Sequence, residues 1–361
     1  MAEVMLWGPP VVPSNPVDPS FRDDMEDWIG KCVDSGVTRI IGGDRTRILT
    51  EVAKNNGIDV HPYVNFNSFP RHGSSRESYG WSQDFLRTPV DAPGSREILD
   101  RHRPIYDNPK IDTSMTDFAQ MHPEFRSLTR DRSYNLQSGQ DLYLSLAFPE
   151  VRAEQTQQFI DVLEETDGSG IQVEFVLGNE DENGVVPYGY EDAVVSAFQQ
   201  KYGKNPFEIP NDYSDWIQFR ADYTTRYLSE LRDAVKMKKP GSVFSATLIA
   251  GEPSDYIKLL HDWPEWVTQG AIDELFLWFR TNSDLDDLAN QIKHAVEVVD
   301  GRCRVIAELS CYHPGSFQDG DLMLEAGRVA MDNGADAIGI YRTHAVEQLD
   351  FWYVLEAFSK L

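Results

Sequence analysis

Residues 301–344 read GRCRVIAELSCYHPGSFQDGDLMLEAGRVAMDNGADAIGIYRTH, and this stretch decides the fold. Two β-rich runs, Arg304–Leu309 and Ala337–Tyr341, enclose the stretch Asp321–Asn333, whose apolar residues recur at three- and four-residue spacing. A strand, a helix and a second strand in this order predict two parallel strands joined by a crossover helix.

The same unit repeats along the whole chain. Six more strands are predicted at Val4–Trp7, Thr38–Ile41, Asp59–Asn65, Gly170–Leu177, Val243–Ile249 and Glu274–Trp278. Helices are predicted between them at Ser20–Ser35, Arg47–Asn55, Ala153–Glu165, Trp216–Val235 and Leu285–Val299. Eight strands alternating with helices predict one α/β domain over residues 1–361, a (β/α)8 TIM barrel.

One connection is far longer than the others. Residues 68–141 are rich in Arg, Asp, Ser and Pro and show little sustained periodicity. A long irregular segment in a compact domain is usually functional, and this one follows strand three, so we expect it on the C-terminal face of the barrel. It is predicted to be an insertion that forms a lid or cleft wall through Arg71, His72, Trp81 and Tyr106, and a disordered insertion is the alternative.

The composition excludes several classes of partner. The 361 residues carry a formal net charge of -26, which would repel nucleic acid and an anionic membrane surface. An acidic surface also suits a salty habitat, so the charge does not name a substrate. Three cysteines without CxxC spacing favour neither a disulfide framework nor a zinc site. No run of about 18 apolar residues is present, so a soluble chain is expected, and Met1-Ala2 leaves secreted, periplasmic and cytoplasmic locations open.

Polar and aromatic residues gather where the predicted strands end. Side chains at the C-terminal ends of barrel strands converge on one pocket, so these residues are the predicted substrate-binding set. Each also has a structural interpretation, since a histidine in a strand is more often part of a hydrogen-bonded core and aromatic rings often only pack. The set comprises Trp7, Asp44, Arg45, His61, Tyr63, Asn65, Asn179, Trp278, Arg280, Tyr341 and Arg342.

Glutamates accompany two of these strand ends. Strand four, GIQVEFVLGNEDENG, contains Glu174 and Glu180, and strand seven contains Glu308 after an apolar run. A carboxyl group in a β-rich run is costly to bury unless it is paired or functional. Glycoside hydrolysis requires two carboxyl groups, one protonated and one ionised. The alternative is that each glutamate simply pairs with Arg280 or Arg342.

The segment from residue 120 to about 235 resembles the family called glycosyl-hydrolase-like family ten. Three elements carry the resemblance: His122-Pro-Glu124-Phe, Pro149-Glu150-Val-Arg152 and Gly170-Ile-Gln-Val-Glu174. The later residues Tyr188, Tyr190, Trp216 and Arg220 also fit the family pattern. The resemblance implies a glycosidase barrel. The sequence departs from the family pattern at Glu174, where the family has an aspartate.

A looser resemblance is to the retaining-glycosidase clan, whose acid/base glutamate follows an asparagine on strand four and whose nucleophile ends strand seven. Asn179-Glu180 and Glu308 match that layout. Glu308 is therefore ranked first among the candidate catalytic residues, and Glu174 and Glu180 remain rivals for the second role.

The sequence predicts a glycoside hydrolase that cleaves an oligo- or polysaccharide and needs no cofactor or metal. Glu308 is the predicted nucleophile, Glu180 or Glu174 the acid/base, and Tyr341 or His61 would orient a carboxylate. A carboxyl separation of about 5–5.5 Å would indicate retention and about 6.5–9.5 Å inversion, with retention expected. The arginines suit an anionic sugar.

Two other functions compete with this prediction. In a metal-dependent sugar isomerase, Glu180, Glu308 and His61 would bind a divalent ion. In a noncatalytic carbohydrate-binding barrel, the same pocket would bind sugar without turnover.

Overall fold

A parallel β-sheet forms the centre of the computed structural model. The structure describes residues 2–8, 10, 12, 19–42, 47–65, 118, 122–132, 144–175, 181–251, 253–281 and 284–361. The strands are β1 Glu3–Trp7, β2 Val37–Ile41, β3 Asp59–His61, β4 Tyr63–Asn65, β5 Gly170–Glu174, β6 Val243–Ile249, β7 Glu274–Phe279, β8 Arg304–Ser310 and β9 Ala337–Tyr341. Their order is β3-β2-β1-β9-β8-β7-β6-β5-β4, and every pairing is parallel.

The nine strands make an eight-stranded barrel because the predicted third strand is divided at Pro62. Proline has no backbone N–H, so it cannot donate to a sheet ladder. On one side of Pro62, β3 pairs with β2, and on the other, β4 pairs with β5. The Pro62 carbonyl accepts a hydrogen bond from the Gln172 N–H at 2.9 Å, which joins the two edges of the sheet. The predicted TIM barrel is confirmed.

Helices follow the strands as the periodicity predicts. They are α1 Phe21–Asp34, α2 Ile48–Asn55, α3 Pro149–Thr166, α4 Asp192–Tyr202, α5 Ser214–Lys238, α6 Pro253–Lys258, α7 Trp263–Thr268, α8 Leu285–Val299, α9 Gly320–Asp332, α10 Thr343–Leu349 and α11 Trp352–Phe358, with short 3-10 turns at Pro123–Phe125 and Pro206–Glu208. The predicted strand four, Gly170–Leu177, corresponds to β5, which ends earlier, at Glu174. Residues 176–180 lie outside the described part of the chain.

Strand residues alternate between two environments. In β8, Val305, Ala307 and Leu309 face outward into the large core shared with the helices. Ile306 faces inward, where it joins a smaller apolar cluster inside the barrel. Because successive side chains point to opposite faces of a strand, Glu308 shares the inward face with Ile306. The alternation therefore places this carboxyl group inside the barrel.

An ion-pair network fills the N-terminal end of the barrel. The Arg39 guanidinium lies 2.6 Å from Glu274, and Arg304 lies 2.9 Å from the second oxygen of the same carboxylate. The Ser245 hydroxyl donates to Glu274 at 2.7 Å. Both Arg39 and Glu274 are buried, so each charge is satisfied by its partner. Paired charged groups thus fill the N-terminal end of the barrel. A substrate-binding site is therefore expected at the C-terminal end.

The end of the long insertion packs on the C-terminal side of the barrel. Arg126 forms an antiparallel bridge with Leu144, and Thr129 forms one with Tyr188, which follows β5. The buried Glu191 accepts a hydrogen bond from the Leu128 N–H at 2.9 Å. Most of the predicted lid, with Arg71, His72, Trp81 and Tyr106, lies outside the described residues, so its role and the boundaries 68–141 stay predictions.

Candidate active site

Six predicted residues come together at the C-terminal mouth of the barrel. Glu308 lies on β8, and Glu174 is the last residue of β5. Both belong to the inward faces of their strands, as do the aromatic residues that surround them: Trp7 on β1, Tyr63 on β4, Trp278 on β7 and Tyr341 on β9.

Glu308 is completely buried, with a relative exposure of 0%. Among the described residues, no hydrogen bond of normal geometry reaches either carboxyl oxygen, and the Trp7 indole and the Thr247 hydroxyl are the donors that face the group. The neighbouring strand provides space for this side chain at Gly339, where a Cβ atom would lie 3.3 Å from the Glu308 Cγ. Burial raises the pKa of Glu308 well above its usual value, and the negative charge of Glu174 raises it further.

Glu174 is the more exposed member of the pair. Burial raises its pKa to about 7, and the positive charge of Arg342 opposes that increase. The two carboxyl groups lie close enough to influence each other electrostatically, as the effect of Glu174 on Glu308 shows. The charge of one carboxyl group disfavours ionisation of the other, so a state with one group ionised and the other protonated is favoured.

Aromatic rings line the mouth around the carboxyl groups. Tyr341 lies at the centre, with its ring centroid 5.8 Å from Trp7 and 4.6 Å from Trp278. Tyr63 packs 5.4 Å from Trp7 on the other side. The charges of Glu174 and Glu308 add to burial in raising the pKa of Tyr341 to about 12. Such rings offer apolar faces that suit the C–H faces of sugars.

Two arginines flank this aromatic wall. The Arg280 guanidinium lies 5.7 Å from the Trp278 ring, and that of Arg342 lies 4.9 Å from the Tyr312 ring. Among the described residues, neither arginine forms an ion pair with a carboxylate, in contrast to Arg39 and Arg304 at the N-terminal end of the barrel. In the ranges that the structure describes, Glu174 and Glu308 therefore do not form the simple ion pairs with these arginines that the alternative requires, and Glu180 lies outside those ranges.

His61 lies deeper in the barrel than the sequence predicts. Its buried ring packs where Gly170 has no side chain, since a Cβ atom there would lie 2.6 Å from the imidazole. Gly170 precedes Glu174 by four residues on the same strand, a rise of about 13 Å. His61 therefore does not reach the mouth to bind substrate or orient a carboxylate there. Burial lowers the pKa of His61 well below its usual value.

The structure describes no side chain for the remaining predicted residues. Asp44, Arg45, Asn179 and Glu180 lie outside the described residues. Asn65 is described only through its backbone, which pairs in register with Glu174.

Four residues at the mouth were not predicted. Thr247 on β6 faces Glu308 and accepts a hydrogen bond from the Gln172 side chain at 2.6 Å. Ser310, Tyr312 and His313 follow Glu308 in the chain, and the Ser310 hydroxyl lies 3.1 Å from His313 Nδ1. The available signal was the polar and aromatic run Ser-Cys-Tyr-His directly after strand seven.

The described residues lack two features, a cluster of metal ligands and a membrane-spanning helix. No group of three His, Cys, Asp or Glu side chains there is placed to hold a metal ion. No helix in the same ranges has the length and apolar character needed to cross a membrane.

Solved structures with a similar fold include glycosidases. The PgaB (BpsB) glycoside hydrolase domain from Bordetella bronchiseptica matches with a TM-score of 0.61 and 12% identity, over 99% of this chain and 98% of that one. The β-galactosidase from the psychrophilic Marinomonas ef1 matches with a TM-score of 0.58 and 12% identity, over 94% of this chain and 54% of that one. The chain thus spans about half the length of that β-galactosidase. At such identities the likeness establishes the fold.

A comparison with curated proteins finds no match. The family model described as Glycosyl hydrolase-like 10 matches residues 102–299, which is more than half of the chain. That range contains Glu174 and the segment whose motifs resemble the same family. The chain therefore belongs to the glycosyl hydrolase-like 10 family.

Proposed function

We propose that this protein is a glycoside hydrolase that cleaves an oligo- or polysaccharide with the carboxyl pair Glu174 and Glu308. The observation that carries the proposal is the position of the two groups, which lie on the inward faces of their strands within an aromatic mouth at the C-terminal end of the barrel. A pair with one protonated and one ionised carboxyl group supplies the acid and the carboxylate that glycoside hydrolysis requires.

The surroundings of the two groups suggest which one holds the proton. Complete burial disfavours an ionised Glu308, whereas Arg342 favours an ionised Glu174. In the free protein the proposal therefore gives the proton to Glu308 and the negative charge to Glu174. This reverses the roles predicted from the sequence, in which Glu308 is the nucleophile. Glu180 remains a rival for the second role.

The proposal has two finer parts. Retention of the anomeric configuration is the expected outcome, with Glu174 attacking the anomeric carbon and Glu308 protonating the leaving oxygen. The substrate is expected to carry an acidic group, because Arg280 and Arg342 flank the mouth without forming an ion pair among the described residues.

The test measures cleavage of a diverse glycan panel by the wild type and by Glu308→Gln, Glu174→Gln and Glu180→Gln. We expect Glu308→Gln and Glu174→Gln each to lower the rate by about 100-fold or more, the usual contribution of a catalytic acid or base. Glu356→Gln, an exposed glutamate of α11, is the matched control. Full activity of either mouth variant would overturn the assignment of the pair.

Azide rescue assigns the roles within the pair. A nucleophile variant rescued by azide yields the glycosyl azide of inverted configuration, whereas an acid/base variant yields the retained one. We expect the inverted product from Glu174→Ala and the retained product from Glu308→Ala. The opposite result would restore the roles predicted from the sequence, and a product from Glu180→Ala would place that residue in the pair.

A further inference from the structure

Three basic side chains lie together at one side of the barrel mouth. Arg280, His313 and Arg342 follow β7, β8 and β9, which are neighbours in the sheet. Aromatic rings connect them: His313 stacks on Tyr341 at 5.5 Å with an interplanar angle of 14°, and its ring lies 5.2 Å from Trp278. Arg280 covers Trp278, and Arg342 covers Tyr312 and Tyr341. We call these three residues the basic cluster.

The positive charge of the basic cluster is not neutralised by an ion pair among the described residues. This is unusual in a chain of net charge -26, in which Arg39, Arg152 and Arg304 all form ion pairs. After burial, the charges of Arg280 and Arg342 are the causes that lower the pKa of His313. Both guanidinium charges therefore act on the same small region of the mouth.

Arg342 has a hydrogen-bond partner in the Tyr341 side chain, and the other N–H groups of Arg280 and Arg342 have none among the described residues. The N–H groups of a guanidinium lie in its own plane. When its face covers an aromatic ring, the N–H groups at its edge can still bind an anion in a bidentate manner. The Ser310 hydroxyl lies 3.1 Å from His313 Nδ1, which holds the ring by one nitrogen and leaves Nε2 for a ligand. Tyr312 is 41% exposed and offers a ring face beside Arg342.

We propose that Arg280, His313 and Arg342 form a subsite that binds the carboxylate or sulfate of a sugar unit, with Tyr312 as the platform for the ring of that unit. The proposal rests on the proposed function, because it places the subsite beside Glu174 and Glu308. It narrows the substrate to glycans that carry a uronic acid or a sulfate ester, and it makes the basic cluster a determinant of specificity.

The test measures binding separately from cleavage. Glu308→Gln, which is expected to lack turnover, is titrated with oligogalacturonate, with its neutral methyl ester and with sulfated and desulfated forms of one oligosaccharide. We expect the acidic member of one pair to bind at least about 10-fold more tightly than its neutral counterpart, since hydrogen bonds to a charged group are stronger than those to a neutral one. The pair that responds distinguishes a carboxylate from a sulfate ligand.

Further variants in the same background locate the binding. Arg280→Gln and Arg342→Gln should each weaken the acidic ligand by about 10-fold and leave the neutral one unchanged. Arg342→Lys keeps the charge without the planar fork and should lose part of the affinity. Arg22→Gln, which alters an exposed arginine of α1, is the matched control and should bind like its parent.

The outcomes separate the two proposals. The acidic subsite would be overturned if acidic and neutral ligands bound equally well in both pairs. It would also be overturned if the arginine variants lost affinity for acidic and neutral ligands equally. Neither result bears on glycosidase activity, which has its own test. Selective binding of acidic glycans by a wild type that cleaves none of them would overturn the proposed function and leave the subsite intact. Circular dichroism of Arg342→Gln and Arg342→Lys shows whether a loss of binding reflects a loss of folding.

Discussion

At the residue scale, Glu308 is a buried carboxyl group that the fold accommodates at a cost in stability. It is wholly buried, no hydrogen bond to its two oxygens is formed within the described part of the chain, and Gly339 on the next strand leaves room for it. A buried carboxyl group without partners costs stability whenever it is ionised. Proteins that place such groups in a site give up stability for function.

Glu308→Gln should therefore stabilise the protein at neutral and alkaline pH. The folded state raises the pKa of Glu308, so above about pH 4.5 the unfolded state loses the proton while the folded state keeps it. The wild type then loses stability as the pH rises from 4.5 towards the folded pKa, and the glutamine variant lacks this loss. Urea denaturation at several pH values from 4.5 to 8 measures the difference.

The expected result is a stability gap between variant and wild type that is small at pH 4.5 and widens as the pH increases. Glu174→Gln should show the same trend in a narrower window, from 4.5 to about 7, with a gap of up to about 3 kcal/mol for that shift. Glu356→Gln provides the exposed control. A gap that does not change with pH would contradict the expectation.

At the element scale, the last helix, α11, packs closely against α9. Helix α9 packs on α11, and the contact is made at Gly327, where a Cβ atom would overlap the buried ring of Phe358. Gly320 at the start of α9 likewise leaves space for Tyr353. Glycine is a poor helix former, so its presence inside α9 indicates that close approach of the two helices outweighs helix propensity.

Gly327→Ala should destabilise the protein by about 1–3 kcal/mol, because the added methyl group forces a buried ring to move. Gly30→Ala is the matched control: Gly30 also lies inside a helix, α1, but no atom lies within 4 Å of its added Cβ. The control should be stabilised by about 0.5–1 kcal/mol. Thermal denaturation of the two variants compares them, and equal shifts in Tm would refute the role of the close contact.

At the scale of the whole molecule, repulsion between charged groups lowers the stability of the folded barrel. The formal net charge of -26 disfavours the compact state through repulsion between carboxylates. Local ion pairs offset part of this, as at Asp167, where Lys54 and Lys239 lower the pKa of the carboxyl group to about 2. The 59 acidic residues nevertheless outnumber the 33 basic ones, so local pairing cannot remove all of the repulsion.

Salt should therefore stabilise this protein. Screening shortens the range of repulsion to about 10 Å at 0.1 M ionic strength, so the Tm should rise between 10 and 300 mM KCl. The Tm in sucrose is the comparison. Sucrose stabilises proteins because it is excluded from their surface and does not screen charge, so it separates this effect from electrostatic screening. A Tm that stays constant or falls over this range of KCl would show that repulsion does not limit stability.

The sequence by itself determined the alternation of strands and helices and therefore the barrel. Strands such as Val243–Ile249 and Ala337–Tyr341 were predicted with their observed bounds, because hydrophobic periodicity is a local property of the chain. It also identified Glu174 and Glu308, since the ends of parallel strands meet at one face whatever the exact register.

Only the tertiary structure decided which of these groups meet. The division of strand three at Pro62, the depth of His61 beneath the mouth and the mutual influence of Glu174 and Glu308 depend on how distant strands are staggered. The basic cluster depends on the same stagger, which brings Arg280, His313 and Arg342 together from three neighbouring strands. Stagger is fixed by hydrogen bonds between residues far apart in sequence, and local periodicity carries no information about it.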